Sequence, residues 1–470
     1  MADIRFGTDG WRAAIAADFT YDAVRRLACG LARFIQNDPD RPNNVVVGYD
    51  RRFASEHFAA AAADTLASNG MNVLLTDRAI PTQLSSFAAR ETNSMALVVT
   101  ASHNEWLDNG IKIKDVTGAP AEEHVLRLIE SNIPDSAERL SKSSEQDLAI
   151  EDLTSVYAQR LRELVDIELI SFFGGHFAVD AIHGCGAGWL PSLLPANGRL
   201  RLHEIRTERN PYFGGVNPEP ILPHINALLS SVAESSADGG LAFDGDADRV
   251  GLVTESGVFV NQLQVYGLLY WHLLEDRGLA KPAVYTVTTT QMVPRLAEAF
   301  GTEAYETPVG FKFVGPRMRE VGAIIGGEES GGFGFGFHIP ERDGLLAALL
   351  LLEMRAQRRA SFDQLLAELQ ARFGPSEYSR IDVHFAREGY ETVVRRTLDG
   401  IDRQIQSTLS SERVDRIDRL GENGFKVYLA DRSWLMLRFS GTEPALRIYA
   451  EGPSMERVTE LLEKGRVLAS

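Results

Sequence analysis

Apolar and polar positions along the chain repeat one unit three times. An apolar run at 45–47 passes through a polar turn into an Ala-rich stretch at 58–67, a stop at Gly70 and a second apolar run at 73–75. The unit returns at 177–179, 184–194 and 200–205, and again at 284–287, 293–300 and 303–305. Short apolar runs read as buried strands and the longer stretches between them as helices. Each unit therefore predicts a β-α-β crossover in a parallel sheet.

A third apolar run follows each unit, at 95–99, 240–243 and 321–325, and each leads into a loop dense in reactive side chains. The first loop is Thr100-Ala-Ser102-His103-Asn104, the second Asp244-Gly-Asp246-Ala-Asp248-Arg249, and the third holds Glu328, Glu329 and Ser330 among glycines. Open α/β sheets bind ligands beyond the carboxyl ends of their strands, so three such domains could turn three loops toward one cleft. Doubly wound domains also look alike without sharing a site, and the pattern alone leaves both readings open.

The last hundred residues change character. Runs at 425–430, 434–439 and 446–450 alternate apolar and polar, as half-buried antiparallel strands do, and a helical stretch at 455–468 follows Pro453. The polar segment 134–152 reads as a linker, and softer boundaries fall near Glu255 and Phe373. These divide the chain into 1–150, 151–255, 256–373 and 374–470.

Composition narrows the function. The 470 residues exceed the roughly 100–200 of one domain, and 44% hydrophobic with 24% charged residues is an ordinary globular balance. Asp and Glu number 65 against 48 Lys and Arg, a formal charge of -17. Such a surface repels nucleic acid and anionic membranes, so an anionic substrate needs local Arg and Lys. The two cysteines, Cys29 and Cys185, suggest free thiols in a reducing compartment. No apolar leader pattern follows Met1, and the run at 345–352 falls short of the roughly 20 residues a membrane helix needs. It predicts a buried helix, and the expected location is cytoplasmic.

The Asp244 loop carries the sharpest signal. Alternate residues of an extended segment point the same way, so Asp244, Asp246 and Asp248 can converge on one hard cation such as Mg²⁺. An EF-hand fails because Arg249 stands where the loop needs glycine. A phosphatase with Asp244 as nucleophile and a plain acidic turn both remain open. Ser102 beside His103 and Lys112 could carry a phosphoryl group, or be a Ser/Asn turn. There is no G-x-S-x-G elbow. Arg438-Phe-Ser440-Gly441-Thr442 at a strand end, with Arg447 on the next strand, is the donor set a phosphate monoester needs. The ten histidines form no H-x-x-x-H pair, which argues against zinc.

Together with Phe6-Gly-Thr-Asp-Gly-Trp-Arg12, these loops resemble the α-D-phosphohexomutase superfamily, on its phosphoglucomutase/phosphomannomutase branch, over nearly the whole chain. The resemblance implies three related mixed-sheet α/β domains and a smaller C-terminal α+β domain around a central cleft. It implies a phosphoserine at Ser102, with Ser102, Asp244, Asp246 and Asp248 on Mg²⁺ and Arg249 steadying the phosphate. Lys112 would be the general acid/base, assisted by His103 and Arg12. Glu328 and Ser330 would read sugar hydroxyls, with Lys312 a further substrate contact. Arg438, Ser440, Gly441, Thr442 and Arg447 would hold the phosphate that is not reacting.

The implied reaction interconverts hexose 1-phosphate and 6-phosphate, glucose favoured over mannose, through a 1,6-bisphosphate that also serves as activator. Sugar phosphates are the expected partners. A silent sugar-phosphate-binding protein is the more distant reading. Two departures stand out: Glu105 replaces the family's frequent Pro after Ser-His-Asn, and Pro81-Thr82-Gln83 replaces Pro-Thr-Pro. The second is expected to touch no catalytic group. The third loop also lacks the Gln and His of a typical phosphoglucosamine mutase.

Overall fold

The computed structural model describes residues 3–7, 9–136, 149–151, 153–195, 198–385, 388–421, 423–439 and 444–468. In the first domain the strand Asn44–Tyr49 lies between two parallel neighbours, Asn72–Thr76 and Met95–Val99. Asp108–Lys114 then returns antiparallel against Met95–Val99, and Trp11–Ala14 extends that edge. Ala149–Glu151 closes the other edge, so the far end of the expected linker is a strand. Most of the rest of that linker lies outside the described residues.

The same order is built twice more. Gly175–Asp180 pairs in parallel with Leu200–Ile205 and Gly240–Phe243, and Val250–Val253 folds back antiparallel. Ala283–Thr286 pairs in parallel with Ala304–Thr307 and Ile325–Gly327, and Phe333–Phe335 folds back. In all three sheets the third strand lies beside the first and ends at the carboxyl edge. This shared topology delivers the three reactive loops to equivalent places.

The fourth domain is a five-stranded antiparallel sheet ordered Glu377–His384, Ala445–Gly452, Trp434–Phe439, Gly424–Leu429, Val414–Arg419. One face of alternating Phe425, Val427, Leu435, Leu437, Leu446 and Ile448 packs with residues of the helices Tyr390–Thr408 and Met455–Leu468. The whole is therefore three mixed-sheet α/β domains and a smaller C-terminal α+β domain.

The apolar run at 345–352 lies in the helix Gly344–Arg358, and its residues are at most 2% exposed. It belongs to a core that joins Leu84 and Phe87 of the first domain to the second and third. Among the described residues no helix is long and apolar enough to cross a membrane. Cys29 and Cys185 are both buried free thiols.

Two expectations shift. The run at 321–325 starts in a helix, Phe311–Val321, and the strand begins only at Ile325. Gly315 and Pro316 sit inside that helix. The helix expected over 184–194 shrinks to Trp189–Leu193.

Candidate active site

The serine loop leaves Met95–Val99 at the carboxyl edge. Thr100 Oγ1 accepts from the Ser102 amide at 2.9 Å and donates to Asp50 at 2.7 Å. Ser102 adopts φ 52°, the left-handed region, a conformation that costs a non-glycine residue ~1–3 kcal/mol and persists only where the surroundings hold it. Its buried hydroxyl donates to Asp244 Oδ2 at 2.7 Å, with His103 Nδ1 at 3.5 Å.

Two loops can meet this closely because Gly245 has no side chain: a Cβ there would lie 2.5 Å from the Ser102 carbonyl oxygen. Asp244, Asp246 and Asp248 are fully buried, and each offers an oxygen within 4.8 Å of the others. Asp246 Oδ1 and Asp248 Oδ1 are buried without a hydrogen-bond partner. An all-oxygen, anionic and partly unsatisfied donor set fits a hard divalent cation, Mg²⁺ above all. Burial and its two neighbouring carboxylates push Asp244 well above the usual carboxylate range. Burial also works to raise Asp246, but Lys112 and the Thr82 hydroxyl outweigh it and hold that group low.

Lys112, from the strand Asp108–Lys114, places Nζ 2.8 Å from Asp246, 2.9 Å from Asp248 and 3.1 Å from Asp9. Burial acts to lower its value, and the three carboxylates reverse that, so the ammonium stays protonated. His103 goes the other way. Burial, helped by Arg249, Arg12 and Lys112, pushes the imidazole well below its usual value, leaving it neutral. Arg12 donates to Asn104 Oδ1 at 2.7 Å, which ties the first strand to the serine loop. Arg249 spans the second loop, with its amide on Asp244 at 3.2 Å and Nη1 on Glu219 at 3.2 Å.

The third loop joins through a residue that local sequence pattern does not single out. Arg342 is almost fully buried, with Nη2 2.9 Å from Asp248 and 2.8 Å from Asp9, and Nη1 3.3 Å from Glu328. Burial pushes Glu328 up to about 7 against the pull of Arg342. Ser330 is half-buried in the same turn, and Glu329 accepts from Thr288. Convergence of the three loops is thus a property of the structure.

Other expected residues stand further out. Lys312 pairs with Glu123 of the first domain at 3.3 Å. Arg438 and Arg447 are cross-strand partners on one sheet face, with Arg447 Nε 4.0 Å from Asp382. Ser440, Gly441 and Thr442 lie outside the described residues. One expectation is corrected: Pro81-Thr82-Gln83 does touch the site. Thr82 Oγ1 donates to Asp246 Oδ2 at 2.5 Å, and Gln83 Nε2 donates to the Ala247 carbonyl at 2.8 Å. The helix Thr82–Glu91 begins against the metal loop, so its first side chains become ligand supports. The three charges Glu341-Arg342-Asp343 just before an apolar helix are the one sequence signal for Arg342.

Four family models match in chain order, described as phosphoglucomutase/phosphomannomutase alpha/beta/alpha domains I, II and III and the C-terminal domain. They cover residues 3–140, 155–257, 261–373 and 402–466. A crystal structure from Thermus thermophilus, described as a putative phosphomannomutase, superposes with a TM-score of 0.86 at 35% identity, covering 99% of both chains. The chain belongs to the phosphoglucomutase/phosphomannomutase family. Members of this family are phosphomutases, and this chain is an enzyme of intramolecular phosphoryl transfer. Relatives within the family divide by sugar. A Thermococcus kodakarensis phosphoglucomutase/phosphomannomutase is 28% identical over 98% of this chain and 97% of its own. A phosphoglucosamine mutase from Nitratidesulfovibrio vulgaris (strain DSM 19637 / Miyazaki F) is 29% identical over 97% and 96%.

Proposed function

We propose that the chain interconverts hexose 1-phosphate and hexose 6-phosphate, with glucose as the favoured sugar, through phosphorylated Ser102 and a 1,6-bisphosphate. The observation that carries this reading is the Ser102 hydroxyl 2.7 Å from Asp244, at the edge of a buried three-carboxylate cluster. Mg²⁺, when bound by those carboxylates and Ser102, supplies charge neutralisation for the phosphoryl oxygens.

In the forward step the Ser102 Oγ–P bond breaks and a bond forms from phosphorus to the free sugar hydroxyl oxygen. The hydroxyl proton leaves that oxygen, and the serine oxygen ends protonated. Neutral His103, 3.5 Å from Oγ, is placed to accept a proton. Lys112 is held as a cation and is placed to donate one and to offset charge on the transferring group. Arg249 steadies the phosphoryl group. After the bisphosphate turns over, the reverse transfer restores phosphoserine. Glu328 and Ser330 read sugar hydroxyls, Arg12 assists Lys112 and His103, and Lys312 is a further substrate contact. Arg438, Ser440, Gly441, Thr442 and Arg447 hold the distal phosphate. Asp244, which accepts from the Ser102 hydroxyl and from the Arg249 amide, is read as a metal ligand and not as the nucleophile.

The test is the rate on glucose, mannose and glucosamine 1-phosphates, with Ser102→Ala as control. Turnover should be fastest with glucose and vanish in the variant. Undiminished turnover in Ser102→Ala removes the phosphoserine, and a preference for glucosamine reassigns the sugar.

A further inference from the structure

Arg52 is a buried cation outside the reacting cluster whose partners are all on the serine loop or facing it. Arg52 follows the strand Asn44–Tyr49 and is 0% exposed. Its Nη1 donates to the carbonyls of Glu105 at 2.7 Å and Asp108 at 3.0 Å. Its Nη2 donates to the carbonyls of Ser102 and Asn104, both at 2.6 Å. Nε faces Asp50 at 3.3 Å. A guanidinium carries five N–H donors in a rigid plane, and both of its terminal nitrogens are spent on this one loop.

The clamp is itself braced by the second domain. The Phe213 ring lies 5.0 Å from Arg52 Cζ, and Arg209 donates to the Arg51 and Arg52 carbonyls at 3.1 and 2.9 Å while gripping Glu56. Trp106 of the loop packs on Tyr212 with ring centres 4.7 Å apart. These contacts act on the frame of the loop rather than on the carboxylate cluster. A loop with a residue at φ 52° relaxes unless it is over-determined, and four carbonyls on one planar cation do that.

We infer that Arg52 is a positioning residue that fixes the serine loop in one conformation and so holds Oγ in one place through both transfers. This rests on the reading of Ser102 as phosphoryl carrier. It adds that the loop neither swings toward substrate nor opens to water between the two transfers.

Hydrogen exchange on the unsubstituted chain tests the rigidity directly. The amides of Ser102, Asn104 and Asp108 should exchange as slowly as those of the core strand Met95–Val99. Arg52→Lys keeps the charge but loses the planar fork. In that variant kcat should fall by about 100-fold while KM stays within about twofold, as misplacement of a reacting atom predicts. Phosphate on Ser102, followed by intact mass, should be lost to water faster than in the parent. Guanidinium ion added to Arg52→Ala should restore part of kcat; should that variant not fold, exchange in the parent and Arg52→Lys decide the matter. Loop amides that exchange like surface turns overturn the clamp, as does Arg52→Lys with parental kcat and phosphate lifetime. A parent chain with no phosphate on Ser102 and no 1-to-6 exchange instead defeats the functional reading.

Discussion

At the scale of single residues the site is an electrostatic balance in which each carboxylate has a different task. Asp246 takes both Lys112 and Thr82 on one oxygen and leaves the other unpartnered. Asp246→Asn keeps the shape and removes the charge, so the Mg²⁺ concentration for half-maximal rate should rise by about tenfold or more, since hard cations are held by charge count. A metal titration of the variant checks this, and an unchanged midpoint counts against the site. Glu328 has the opposite character, because burial lifts it to about 7. It is a carboxylate above that value and a neutral acid below it, so a hydroxyl-accepting role requires KM to fall as pH rises through about 7. Glu328→Gln should flatten that slope, which separates it from ionisation of the substrate phosphate. The stability sign is reversed. The folded chain binds this proton more tightly than the unfolded one, so Glu328 costs stability progressively as pH climbs from 4.5 to about 7.

At the scale of elements, the helix Gly344–Arg358 shows how a fold device doubles as a site support. Asp343 caps it by accepting from the Leu346 amide at 2.9 Å, and also accepts from Tyr157 of the second domain. Loss of an N-cap costs ~0.5–2 kcal/mol, and an orphaned buried hydroxyl adds ~1–3 kcal/mol. Asp343→Ala should therefore lower the urea midpoint clearly, while Asp343→Asn should recover most of the cap. Elements of this kind are unevenly legible in the sequence. Apolar runs at 95–99, 240–243 and 434–439 match their strands because nothing in them competes with a period of two or with full burial. Phe311–Val321 is hard to read as a helix because Gly315 and Pro316 interrupt its pattern, and its last residue merges with the apolar run that follows. Tyr390–Thr408 escapes notice, since its long polar face hides the few apolar positions that meet the sheet. The reacting residues are legible because they follow strands in compact motifs. Arg52, Arg342 and the Lys114–Glu341 pair are not, because buried charges find partners far away along the chain and leave no local period.

At the scale of the whole molecule, Arg438 and Arg447, the arginines proposed to hold the distal phosphate, ride on a separate domain, and its seat on the third domain sets where they stand. The strands that carry Arg438 and Arg447 also carry Trp434, Tyr449 and Glu451. Glu451 is 2% exposed and gathers four donors. It accepts from Thr290, Ser376 and Trp434 Nε1, and from the Gln291 amide at 2.9 Å. Lys426 Nζ, over the Trp434 ring at 4.3 Å, donates to the Val287 carbonyl at 2.7 Å. The contacts of Lys426 with Val287 and of Glu451 with Thr290 and Gln291 land just beyond the strand Ala283–Thr286, so these two side chains seat the fourth domain on the third. In Glu451→Gln a donor replaces one oxygen, so the Thr290 and Ser376 hydroxyls lose their shared acceptor or the Trp434 and Gln291 N–H groups lose theirs, at ~1–3 kcal/mol for each buried group left unpaired. The fourth domain should then sample wider positions. KM for hexose phosphate should rise by about tenfold through the displaced arginines, since each factor of ten needs only ~1.4 kcal/mol, while the Mg²⁺ midpoint stays put because the carboxylate cluster belongs to the second domain. Small-angle scattering should show a larger radius of gyration in the variant, shrinking when bisphosphate is added. Unchanged KM and scattering would mean that the seat does not set the position of the arginines, and that the fourth domain finds the substrate by its own phosphate contacts alone.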